Sequence, residues 1–134
     1  MGLHKLWIGR MFPAHEPNTV MIANGLAGMG FAIPCAVAAK LVHPQRKVVT
    51  VNGDGGALMN FQELETAMRL GTPFVNVVWE NQQFGSIVWK QDKKFGRHLR
   101  HALTLDVPSL IVLPIDYSID VAISEELGTE TVTT

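Results

Sequence analysis

A doubly wound α/β fold, with a mostly parallel sheet and helices on both faces, follows from three features of these 134 residues. Two β-branched apolar runs each stop at a turn rich in glycine or polar residues, an amphipathic pattern of helical period separates them, and 47% hydrophobic content suffices for one compact core. The first run, Lys47-Val48-Val49-Thr50-Val51, reads as a strand buried on both faces that stops at Asn52-Gly53-Asp54-Gly55-Gly56. Beyond the glycines, Leu58, Phe61, Leu64, Met68 and Leu70 recur at helical spacing with Glu63, Glu65 and Arg69 between them, until Gly71-Thr72-Pro73 ends the helix. The second run, Phe74-Val75-Asn76-Val77-Val78-Trp79, ends at Glu80-Asn81-Gln82-Gln83. Strand, helix and strand in this order predict parallel neighbours joined by a right-handed crossover.

Upstream, residues 18–23 contain Thr-Val-Met-Ile and predict a short strand ending at Asn24-Gly25. The Ala- and Gly-rich stretch 26–42 predicts a tightly packed helix closed by His43-Pro44. Downstream, 99–105 predicts a short helix and Ser109-Leu110-Ile111-Val112-Leu113 a last strand, with Pro114 at its end. Residues 118–134 form an acidic, Thr-rich tail expected to be loosely held.

Eleven Lys and Arg against 12 Asp and Glu leave a net charge of −1, which excludes the basic footprint of a nucleic-acid or anionic-membrane binder. No stretch reaches 18 uninterrupted apolar residues, and 1–10 carries His4, Lys5 and Arg10 rather than a signal-peptide pattern. The single Cys35 excludes an internal disulfide, and no Cys/His spacing suits zinc, so a cytoplasmic setting is expected.

In doubly wound sheets ligands bind beyond the carboxyl ends of the strands. Gly53, Gly55 and Gly56 let backbone approach an anion there, and the helix that follows offers N–H groups and a positive dipole end, a combination that suits a phosphate. Asp54 supplies a carboxylate oxygen, and Asn81, at the end of the next strand, an amide oxygen; two hard oxygen ligands flanking a phosphate suit Mg²⁺. A GDGG turn by itself is more often a tight structural turn, and the functional reading gains from the strand before it, the helix after it and Asn81. No Gly-Lys-Ser/Thr is present, which excludes a P-loop, and Gly25, Gly28 and Gly30 have GxxGxG rather than dinucleotide spacing.

The residues from Val51-Asn52-Gly53-Asp54-Gly55-Gly56 to Trp79-Glu80-Asn81-Gln82 resemble the thiamine-diphosphate motif of the pyruvate decarboxylase and acetolactate synthase superfamily. Gly2-Leu3-His4-Lys5-Leu6-Trp7, residues 12–17, Asn24-Gly25-Leu26-Ala27-Gly28-Met29-Gly30-Phe31, Gln62-Glu63-Leu64-Glu65-Thr66-Ala67 and Pro114-Ile115-Asp116-Tyr117 are similar to blocks of the C-terminal domain of acetolactate synthases, nearest the catabolic, flavin-independent kind. The resemblance implies a thiamine-diphosphate-binding domain over 1–117. In it Asp54, Asn81 and the carbonyl of Gln83 hold Mg²⁺, while Gly53, Gly55, Gly56 and Ala57 hold the diphosphate with His4 beside it. Met29 would lie beneath the cofactor and bend it, the carbonyl of Ala27 would bind its amino group, and Gly28 and Phe84 would complete the contacts. Outside the family, Met29 reads equally as a core methionine and His4 as a surface or capping histidine, and His15, His43, His98 and His101 show no pattern.

The implied chemistry is decarboxylation of pyruvate and carboligation to a second 2-oxo acid, in a homo-oligomer or with a pyrimidine-binding domain. The alternatives are a non-catalytic cofactor-binding fragment, a split subunit, or a related enzyme such as pyruvate oxidase, a 2-oxoacid decarboxylase or sulfoacetaldehyde acetyltransferase. Glu80 replaces the first Asn of the motif and Gln83 the usual Gly; Trp89 aligns with a Phe of the catabolic enzymes, which favours two pyruvates as substrates. The family separates His98 from Leu99 by a helix, a strand and part of a second helix, so the chain reads as lacking roughly forty residues, about one βα unit, near 98/99. The family's catalytic glutamate lies in another domain, and no catalytic residue is assigned in these 134 residues.

Overall fold

The computed structural model describes residues 3–80 and 94–114. Its elements run α1 (Leu3–Met11), α2 (Ala32–Val42), β1 (Val49–Gly53), α3 (Asp54–Met59), α4 (Glu63–Leu70), β2 (Val75–Glu80), α5 (Phe95–Ala102) and β3 (Ser109–Pro114). Among the described residues the three strands form one parallel sheet in the order β1-β2-β3, with Val49 opposite Val75 and Val75 opposite Ser109. The α/β class and the three main strands are as the sequence predicts.

Alternation divides the sheet's side chains between two faces. On the odd face, Val75, Val77, Trp79 and Leu113 form a core with Ala102, Phe95 and Leu99 of α5, whose spacing of four and three residues places them on one side of that helix. On the even face, Phe74 and Val48 join Ile33, Ala36 and Val37 of α2 and Ala67 and Leu64 of α4. The alanines Ala36 and Ala67, both fully buried, let α2 and α4 approach closely. Helices therefore cover both faces, and β2, buried along Val75 to Trp79, is the central strand.

Several expectations are corrected. β1 begins at Val49 and runs on through Asn52 and Gly53, and it is not buried on both faces: Val49 is exposed while Thr50 and Asn52 are buried. The hydroxyl of Thr50 and the Nδ2 of Asn52 both donate to Oδ1 of fully buried Asn76 at 2.6 Å, so polar groups occupy the covered even face because they satisfy one another. The single helix expected over 58–70 is two, broken at Asn60, and α3 already starts at Asp54 with Gly55 and Gly56 inside it. Leu58, Met68 and Leu70 of its apolar pattern face outward. Residues 18–23 form no strand, with Asn18 at φ +58°, and the helix expected from residue 26 starts at Ala32 because Gly25, Ala27 and Gly30 take φ of +76°, +48° and +82°. The helix expected over 99–105 lies at Phe95–Ala102, and α1 has no counterpart among the elements that periodicity predicts.

Handedness sets a further constraint. Both crossovers step the sheet one strand in the same direction, yet α4 of the first packs on the even face and α5 of the second on the odd face. The helices of two single steps in one direction thus lie on opposite faces, whereas right-handed crossovers, preferred in roughly 98% of cases, would place both on one face. A strand outside β3, reached over the even face and left through α5, would make every crossover right-handed. Even-face Leu110 and Val112 of β3, 45% and 49% exposed, lie where a helix serving that strand would pack.

Candidate functional site

The sheet's carboxyl end is level: Gly53 pairs with Trp79, and Trp79 and Glu80 with Leu113 and Pro114. The chain leaves β1 at Gly53 in extended conformation (φ −75°, ψ 160°) and enters α3 at once. Gly53 makes no side-chain cap, and the N–H of Gly55 instead donates to Asp54 Oδ1 at 2.7 Å. Asp54 so stands in the first turn of α3, where a carboxylate is favoured by the helix dipole. Gly55 and Ala57 are buried, whereas a Cβ added at Gly56 would meet nothing within 4 Å, so the backbone there borders open space.

His4 approaches this turn from α1. A Cβ built on Gly53 would stand 3.4 Å from its Cε1, and the imidazole meets Trp79 edge-on, with ring centroids 6.2 Å apart. Its Nδ1 is buried and has no hydrogen-bond partner among the described residues. Burial pushes the imidazole down from 6.5 to about 4, with Asp54 acting in the opposite sense. The folded chain therefore holds His4 neutral, with a ring nitrogen beside Gly53 in want of a partner. An orphaned polar atom of this kind marks a place that a ligand or a water completes.

The pKa shift carries a stability consequence. The unfolded chain takes up the His4 proton near pH 6.5 and the folded chain only near 4, so the contribution is complete above 6.5 and is lost as the pH falls from 6.5 to 4. Urea midpoints for wild type should fall over that interval by more than those of His4→Phe, which keeps an aromatic ring against Trp79; parallel pH profiles would refute the burial of a neutral His4.

Ala27, Gly28 and Met29 lie in the irregular segment before α2. Ala27 holds φ +48°, a left-handed conformation that a residue with a Cβ adopts only where its surroundings enforce it. Met29 is half exposed and a Cβ at Gly28 would meet nothing, so this segment also borders open space. It meets the turn at 53–57 through α3: Asn60, just past that helix, donates from Nδ2 to the carbonyl of Gly30 at 3.0 Å. The sequence-predicted residues His4, Gly53, Asp54, Gly55, Gly56 and Ala57 are thus brought together, with Ala27, Gly28 and Met29 joined to them through Gly30. Asn81, Gln83 and Phe84 lie outside the described residues, as does Trp89.

Asp54 is the one predicted metal ligand among the described residues, which contain no group of three or more His, Cys, Asp or Glu placed to hold a metal ion. A site of one carboxylate, one amide and one carbonyl would not form such a group. Trp79 and Asn60 are site neighbours that sequence reasoning missed; an Asn inside the helical pattern of 58–70, a residue type that favours helix ends, was the available signal for Asn60. His98 and His101 lie exposed on α5, and no helix among the described residues is long and apolar enough to cross a membrane.

The chain is similar to known proteins over most of its length. Residues 1–130 match the family described as thiamine pyrophosphate enzyme, C-terminal TPP binding domain. The chain is 45% identical over 97 residues to an acetolactate synthase of Bacillus subtilis, covering 72% of this chain and 17% of that protein. It is 33% identical over 150 residues to a catabolic acetolactate synthase of Raoultella terrigena, covering 87% of this chain and 27% of that protein. The chain spans well under a third of the length of these relatives. As 87% of 134 residues is about 117, roughly thirty residues of the 150 in the Raoultella enzyme have no counterpart here. A thiamine diphosphate-dependent 4-hydroxybenzoylformate decarboxylase from Rhodococcus jostii superposes with a TM-score of 0.61 at 21% identity, over 69% of this chain and 24% of that one, a likeness of fold.

Proposed function

The chain belongs to the thiamine pyrophosphate enzyme family, whose C-terminal TPP-binding domain it carries, and we propose that its turn at 53–57 holds the diphosphate of thiamine diphosphate with Mg²⁺ on Asp54, in an acetolactate synthase-like enzyme acting on pyruvate. The observation that carries this reading is the junction of β1 and α3. There the backbone of Gly55, Gly56 and Ala57 turns at the carboxyl end of the sheet beside a buried, partnerless His4 nitrogen, with a carboxylate on the first helical residue. In this reading Asn81 and the Gln83 carbonyl would hold the metal together with Asp54, oxygen ligands of the kind Mg²⁺ takes. His4, neutral and aimed at Gly53, contributes a hydrogen bond to the phosphate side. Met29 would support the cofactor's rings and the Ala27 carbonyl would receive its amino group, which would give a use to the strained φ of Ala27.

Bound thiamine diphosphate supplies the electron sink that 2-oxo acid decarboxylation needs, and the protein supplies binding and orientation. Proton transfer to the cofactor is assigned to a pyrimidine-binding domain, on the same or another polypeptide. A reducing, cytoplasmic setting accords with the lone Cys35, which burial keeps as a protonated thiol.

A second reading, a cofactor-binding piece with no turnover of its own, draws on β3. The packing of α4 and α5 on opposite faces of the sheet and the exposed Leu110 and Val112 support a missing βα unit next to that strand. Calorimetric titration separates binding from turnover. Thiamine diphosphate should bind with Mg²⁺ and lose most of its affinity with a chelator, while thiamine without phosphates should bind far more weakly. Equal affinities for the two would overturn the diphosphate assignment, and acetolactate formed from pyruvate by these 134 residues alone would overturn the assignment of proton transfer to another domain.

A further inference from the structure

We propose that Asn60 is a positioning residue that fixes the segment 27–30 at a set distance from the turn at 53–57, and so joins the two halves of the cofactor site. The proposal rests on the reading of that site given above. Asn60 stands in the break between α3 and α4. Its backbone N–H donates to the carbonyl of Ala57 at 3.3 Å, and its own carbonyl accepts the N–H of Glu63 at 3.1 Å, so it ends one helix and starts the next. The side chain makes two further hydrogen bonds. Nδ2 donates to the carbonyl of Gly30 at 3.0 Å, and Oδ1 accepts from Gln62 Nε2 at 3.4 Å.

Gly30 is matched to this contact twice over. Its φ of +82° turns the carbonyl in a direction that residues with a Cβ rarely allow, and a Cβ there would stand 2.6 Å from Asn60 Nδ2 and 3.0 Å from Met59 Cβ. The segment and the end of α3 are therefore packed to the limit of a glycine. Three residues before, Ala27 holds φ +48°, and a strained residue persists only where neighbouring structure over-determines it. The hydrogen bond from Asn60 supplies such a constraint at the end of the segment. Because α3 is six residues long and carries the turn at its start, one short rigid rod bears the phosphate side at one end and the ring side at the other.

The role predicts a split between ligands that a general structural role does not. Asn60→Asp keeps the shape and replaces the donor by an acceptor facing the Gly30 carbonyl; Asn60→Ala removes both. With Mg²⁺ present, both variants should bind thiamine diphosphate about ten- to a hundredfold more weakly than wild type while binding inorganic pyrophosphate within twofold of it, since pyrophosphate uses the turn alone. Unchanged affinity for thiamine diphosphate, or an equal loss for both ligands, would overturn the role.

Backbone amide relaxation on the ligand-free chain keeps this test apart from the reading of the site. Heteronuclear ¹H–¹⁵N NOEs of 27–31 should fall in Asn60→Asp relative to wild type, with 65–70 of α4 unaltered, whether or not the wild type binds the cofactor. Unaltered NOEs at 27–31 overturn the positioning role, whereas wild type that binds neither ligand overturns the site. Gly30→Ala, which presses on the same contact from the other side, should reproduce the fall; raised or unaltered NOEs there contradict the tie.

Discussion

Asp54→Ala should weaken binding of thiamine diphosphate in the presence of Mg²⁺ by roughly a hundredfold or more, the scale on which even supporting residues of metal sites act. The substitution removes the carboxylate proposed as metal ligand and the acceptor of the Gly55 N–H. Asp54→Asn separates the two effects, because an amide oxygen can still accept from Gly55 while the charge that neutralises the metal is gone. Its affinity should lie between those of wild type and the Ala variant. Folding stability should change little, by about 1 kcal/mol at most, as expected for loss of a favourable charge in the first turn of a helix. Calorimetric titration of the three proteins, with urea melts of each, checks the expectation. Cofactor affinity equal in wild type and Asp54→Ala would remove Asp54 from the site.

The largest stability effect is expected beneath the site, at Asn76. Its Oδ1 accepts from both the Thr50 hydroxyl and Asn52 Nδ2, each at 2.6 Å, on the covered face of the sheet. Asn76→Ala deprives two buried donors of their common acceptor at once, and each such loss costs about 1–3 kcal/mol. Disposal of the Asn76 Nδ2, buried and without a partner, offsets a part. The net expected loss is about 3 kcal/mol, or roughly 10 °C in the thermal midpoint of a domain this size. Thr50→Val, which removes one donor and keeps the volume, should cost about 1 kcal/mol or less. Equal losses in the two variants would show that the network is not organised around Asn76. Asn52 directly precedes Gly53, so the same network anchors the last residues of β1 before the turn.

Much of this was open to reading in the sequence, for identifiable reasons. Strands β2 and β3 are short apolar runs bounded by Pro, Gly or polar residues, and burial of β2 on both faces puts apolar residues at both parities of its run around Asn76. The turn at 53–57 was legible because glycines and a carboxylate follow an apolar run directly. The errors arose where backbone sign or polar pairing decides the structure. A left-handed Ala27 is invisible to propensity, and it, with Gly25 and Gly30, stops the helix expected from residue 26. Thr50 and Asn52 are buried because Asn76 lies opposite, a pairing 24 to 26 positions away that local pattern does not reveal. Outward-facing Leu58, Met68 and Leu70 mimic a core stripe because the break at Asn60 shifts the phase of the pattern between α3 and α4. For the proposed site, the residues are named from the sequence and the structure adds contacts among them: His4 against Gly53, and Gly30 against Asn60.

The most direct test of the central claim is a residue-resolved map of binding. Backbone amide resonances of the 134-residue chain, followed while thiamine diphosphate is added with Mg²⁺, should move most at Gly53, Gly55, Gly56 and Ala57, with a second group at Ala27, Gly28 and Met29. Resonances of Val49, Val75 and Ser109, paired at the opposite, amino end of the sheet, should stay in place. Saturable shifts centred on that amino end, or none at 53–57 at cofactor concentrations that saturate the calorimetric signal, would contradict the assignment of the turn as the diphosphate site.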